Sequence, residues 1–109
     1  MIIADSQVWK FFLEHGVLAT LRRWCYERRL GKIIVVRHRS SRQIAVVKEV
    51  IFFPKPHELE PYVSISSFKS VEEWWDRALE LHHGIKPTRL VVIERYIPKN
   101  QRRLIHGGR

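Results

Sequence analysis

Apolar residues recur at helical spacing in two stretches of the chain and as unbroken or alternating runs in several others. In QVWKFFLEHG, Val8, Phe11 and Phe12 stand at i, i+3 and i+4, one face of a helix. Asp5 and Ser6 ahead of it offer oxygens to the first free N–H groups, and Gly16 after it suits the left-handed residue that ends a helix. The pattern predicts a helix over about residues 6–15, then a strand from Val17 to Trp24. CYERRLGK reads as a polar connector. IIVVRHR, from Ile33 to Arg39, is a β-branched run and predicts a strand on which Arg37 and Arg39 share one side. SSR is a turn, and QIAVVKEVIFF, from Gln43 to Phe53, completes a hairpin that Pro54 and Pro56 stop. HELEPY, 57–62, reads as a loop with room for one helical turn.

The clearest element follows. Ser70 stands three residues before Glu73, a capping signature, and Val71, Trp74, Trp75 and Ala78 recur at i, i+3, i+4 and i+7. Gly84 and Pro87 close that helix, and RLVVIERYI, from Arg89 to Ile97, is a last strand. KNQRRLIHGGR carries four basic residues and no periodicity. The expectation is one domain over 1–98 and a basic, flexible tail over 99–109. Long strands need a second layer over their apolar face, so the fold class is α+β.

Composition narrows the function classes. At 109 residues, 45% of them hydrophobic, the chain can bury roughly two-thirds of its unfolded surface in one core. No apolar run reaches the ~18 residues of a membrane span, and MIIADSQ does not read as a secretion signal. No membrane partner is expected. The single cysteine, Cys25, excludes an internal disulfide and fits a reducing, cytoplasmic setting. Only Gln7, Gln43, Asn100 and Gln101 carry amides, a thermophile-like composition beside abundant Arg, Lys and Glu.

Charge changes the picture most. The net charge is +9 and the pI about 10.3, values that point to a polyanionic partner. Eight of the twenty basic residues fall between positions 22 and 42: Arg22, Arg23, Arg28, Arg29, Lys32, Arg37, Arg39 and Arg42, opposed only by Glu27. Seven are arginine, whose planar fork matches phosphate oxygens and stacks on bases. Trp24 and Tyr26 are interleaved and could stack unpaired bases, although Trp24 reads first as a core residue. The six histidines show no i, i+4 pair of the kind that makes a helical zinc site, so neither a metal site nor a cofactor is expected. No phosphate loop, GxSxG or HExxH occurs, and no catalytic residue is assigned.

A helix ending at glycine followed by Thr20-x-Arg22, then Gly31-Lys32 ahead of an apolar strand, then the capped helix and last strand of residues 68–96, resembles the ASCH domain, a relative of the PUA fold. The resemblance spans about residues 6–97. It implies a small β-barrel of about five strands with two flanking helices beside a cleft, and a role in RNA binding or in chemistry on nucleosides. Thr20 and Arg22 would face the cleft. The motif's glycine and lysine fall on His15 and Val17, and the glutamate of acetylated-cytidine amidohydrolases falls on Ser67. Two of three catalytic groups are therefore missing. The reading is an RNA-binding module, with DNA as a further ligand. The alternatives are an amidohydrolase or ribonuclease with displaced catalytic residues, and a module that docks an acidic protein.

Overall fold

The computed structural model describes residues 1–98; the tail expected over 99–109 lies outside them. Helix α1, Ser6–His15, begins where the Asp5 carboxylate accepts the Gln7 N–H at 2.9 Å. It ends at Gly16, whose φ of 73° lets the chain turn straight into β1, Val17–Arg22. A 3₁₀ turn, Tyr26–Arg29, leads to the hairpin of β2, Ile33–His38, and β3, Ser41–Phe52. A 3₁₀ segment, Pro56–Ile65, precedes α2, Val71–Leu81, whose Ser70 hydroxyl accepts the Glu73 N–H at 3.1 Å. Strand β4, Arg89–Arg95, completes the fold.

All pairings are antiparallel, in the order β1-β4-β3-β2, so the last strand inserts between the first and third. Leu18–Leu21 of β1 and Leu90–Ile93 of β4 are buried on both faces, which is why those runs are apolar at every position but Thr20. Against one face pack Val8, Trp9 and Phe12 of α1, with Leu18, Val91 and Ile93. Against the other pack Leu59, and Val71, Trp74 and Ala78 of α2, with Ala19, Leu21, Leu90 and Val92. The hairpin is covered on one side only: Val36, Ala45 and Val47 are buried, while Ile33, Val35 and Ile44 are exposed.

Several expectations are corrected. Among the described residues the sheet has four strands and is open, not a barrel of about five. Residues 1–3 do lie along the outer edge of β2, with Ile3 N–H on the Arg37 carbonyl at 2.7 Å and Arg37 N–H on the Met1 carbonyl at 2.9 Å. They make a single parallel bridge, because the chain turns into α1 two residues later. His38 Nδ1–H donates to the Ile3 carbonyl at 2.7 Å and the ring stacks on Trp9, so this histidine pins the segment. Strand β1 stops at Arg22, not Trp24, because Thr88 N–H takes the Arg22 carbonyl and the Tyr26 N–H bonds to Trp24 and starts a turn. Arg39 has left β2 for the hairpin turn, with φ of 54°, so it does not share a strand face with Arg37. Trp24 is not a core residue: it is 55% exposed.

Candidate functional site

Two concavities meet at Arg22. The first, of about 180 Å³, lies between β1, the start of α1 and α2; Thr20, Arg22, Asp5, Arg77, Trp74 and His82 are among its walls. Strand periodicity puts positions 20 and 22 on one face, and the two side chains touch: Arg22 Nε–H donates to Thr20 Oγ1 at 3.1 Å. Arg22 also donates to the Ile2 carbonyl at 2.7 Å, tying β1 to the segment that edges β2. Burial lowers the Arg22 guanidinium from its ordinary pKa, opposed by the Tyr26 phenol. Burial raises Tyr26 in turn, opposed by Arg22. Opposite stands Arg77, which bonds the Asp5 carboxylate at 3.0 Å and Glu80 at 2.7 Å. The Asp5–Arg77 pair joins residues 72 positions apart, and only the capping role of Asp5 was visible beforehand.

The second concavity is a groove of about 590 Å³ with Arg22, Trp24, Tyr26, Arg29, Ile33 and Val35 in its walls. Trp24 meets the Tyr26 ring edge-on at 5.2 Å. Tyr26 is buried and props the exposed indole. Arg23, Arg28 and Lys32 are exposed but line neither concavity. Arg37, Arg39 and Arg42 cluster at the hairpin end, where Arg37 sits directly across from Arg42 in the strand register. Like charges at such a position repel. Among the described residues none of the eight clustered cations is in an ion pair. The one carboxylate in their stretch is taken elsewhere: Glu27 accepts both arms of Arg89, at 2.8 and 3.0 Å.

At the two positions where the resemblance implies a lysine and a glutamate stand Val17 and Ser67. Val17 packs with the α2 side of the core. Ser67, at φ of 78°, offers its carbonyl to Gln7 at 2.7 Å.

The Glu27–Arg89 bond has a measurable signature. Hydrogen bonds from the Arg89 fork hold the Glu27 carboxyl at about 2, below its ordinary 4.5. A depressed carboxyl contributes stability that is complete above its unfolded value and is lost as pH falls through the folded one. The expected result is that Glu27→Gln is less stable than the parent at neutral pH, and that the gap closes between pH 4.5 and about 2. Urea midpoints of the two proteins across that range check it; a constant gap would mean that Arg89 does not bind the carboxylate.

Comparison of the chain with protein-family models, with curated proteins and with solved structures finds no match.

Proposed function

We propose that the protein is an RNA-binding module on an ASCH-like scaffold, acting without catalysis in the cytoplasm. The observation that carries this reading is Trp24: an indole more than half exposed, in a groove shared with Arg22 and Arg29 and flanked by cations that, among the described residues, are in no ion pair. An exposed tryptophan forgoes burial, and stacking an unpaired base on it restores that contact. Phosphates on either side of the base meet the arginines, and those reaching Arg37 and Arg42 relieve a cross-strand repulsion. The smaller cleft supplies directional donors. Thr20 Oγ1 already accepts from Arg22, which leaves its O–H free to donate. A helix ending at Gly16, with Thr20 and Arg22 turned to a cleft between two helices, is the arrangement the ASCH resemblance implies. RNA is the first choice of ligand and DNA the second, because unpaired bases are presented mainly by the single-stranded loops and ends of RNA, whereas DNA is chiefly duplex.

The test is anisotropy titration of a labelled single-stranded oligouridylate over a series of salt concentrations. If about six phosphates are neutralised, log K falls with a slope of about −4 against log salt. Trp24→Ala is expected to weaken binding about tenfold at every salt and leave the slope unchanged, since it removes stacking and no charge. Affinity independent of salt, or unaffected by loss of the indole, would overturn the reading.

A further inference from the structure

The C-terminal end of β3 carries a second aromatic surface that the Trp24 groove does not use. Phe52 is 52% and Phe53 68% exposed, adjacent in sequence. Phe53 also sits at φ of 48°, a left-handed conformation rare for a bulky aromatic residue. Its surroundings hold it there: the Phe53 N–H donates to the Thr88 carbonyl at 2.8 Å, and Pro54, which follows, is buried. The Arg89 guanidinium lies 4.6 Å from the Phe52 ring centre and 5.6 Å from that of Phe53. Backbone strain of this kind gathers at ligand clamps. Beside Phe53 opens a pocket of about 230 Å³, with Trp75, Pro87 and Thr88 in its walls and Lys55 and Lys86 at its margin. Both lysines are exposed and, among the described residues, neither is in an ion pair. The nearby Glu58 carboxylate accepts the Lys55 backbone N–H at 2.9 Å, not its ammonium.

The pocket is tied to the segment that bears Trp24. The Thr88 hydroxyl donates to the Arg23 carbonyl at 3.1 Å, and Arg89, one residue on, grips Glu27. Aromatic faces flanked by free cations are what a single nucleic-acid strand requires: π-surface for a base, positive charge for the phosphates beside it. We propose that the Phe53–Trp75 pocket receives a second unpaired base of the RNA whose first base stacks on Trp24, with the adjoining phosphates on Lys55 and Lys86. This rests on the RNA-binding reading and adds a second point of contact to it.

Two variants of the full chain test it, with a labelled oligouridylate long enough to reach both surfaces. Phe53→Gly removes the ring and accepts the positive φ without strain, so the fold is retained. The double variant Lys55→Glu, Lys86→Glu alters only exposed side chains. Each is expected to lower affinity about tenfold, and ultraviolet cross-linking with peptide mapping is expected to place uridine on the segment around Phe53 as well as on Trp24. If Trp24→Ala weakens binding while both pocket variants bind like the parent, the second contact is overturned and the first stands. If the parent binds no RNA, both fall together.

Discussion

Phe12→Ala is expected to cost about 3–5 kcal/mol of folding free energy, the range for removing a fully buried phenylalanine. The ring has no exposed surface. Trp9 is 6.1 Å away, centre to centre, and the Arg95 guanidinium lies 5.8 Å over it from the end of β4. Phe12 is also where the last turn of α1 is tied to the sheet. Its carbonyl accepts the Gly16 N–H at 2.8 Å and an Arg95 N–H at 2.9 Å, and Arg95 also donates to the Leu13 carbonyl. A guanidinium there satisfies orphan carbonyls and complements the negative end of the helix. Truncating the ring opens a cavity under that junction and takes away the aromatic face on which Arg95 rests. A domain of this size has about 5–15 kcal/mol in total, so the variant forfeits a large part of its stability. Leu13, one residue on, is 40% exposed; Leu13→Ala is expected to stay within about 0.5 kcal/mol of the parent. Urea unfolding of the three proteins checks both values. A loss at Phe12 no larger than that at Leu13 would mean that α1 does not seal this face of the sheet.

The helices were legible because their ends carry local chemistry: Asp5 and Ser70 accept the N–H groups that cap residues accept, and Gly16 takes the φ that ends α1. The β-branched runs announced strands for the same local reason. Pairing between distant strands leaves no such mark. Nothing around Arg89 says that β4 enters between β1 and β3, and the strand ends moved where a partner's bond decided them, as Thr88 does at Arg22. The likeness that implied a barrel could not show that residues 1–3 stop after one bridge.

Within the site, Thr20 and Arg22 were legible as a pair because a strand turns i and i+2 to one side. Asp5 with Arg77 was not, since two remote elements bring them together. Exposure of aromatics was the largest miss. Trp24, Phe52 and Phe53 are residue types that usually fill a core; here Trp24 lies in the turn after β1, Phe52 is the exposed last residue of β3, and Phe53 follows it in a left-handed conformation. Both departures fall beside arginine, which is where a binding surface departs from the rules of a core.

Reversing two charges, Arg29→Glu with Arg37→Glu, is expected to separate binding from folding. Arg29 lines the Trp24 groove and Arg37 projects from the outer face of β2; both are exposed. On a single strand each phosphate contact contributes about 0.7 to the slope of log K against log salt, so between 1 M and 0.1 M salt it is worth about fivefold. Losing two contacts costs about 25-fold at 0.1 M, and the repulsion from two new carboxylates brings the loss to the order of a hundredfold. The fold responds in the opposite direction. Arg37 faces Arg42 across the hairpin, so a glutamate at 37 turns a repulsive cross-strand pair into an attractive one, worth roughly 0.2–1 kcal/mol. The variant is therefore expected to melt no lower than the parent while its RNA affinity collapses and its salt slope falls by about 1.4. Lys10→Glu with Lys69→Glu makes the same change in net charge at exposed positions outside both concavities and the pocket. If the lysine variant loses as much affinity as the arginine variant, RNA is responding to total charge alone, and the groove has no claim to be the place where it binds.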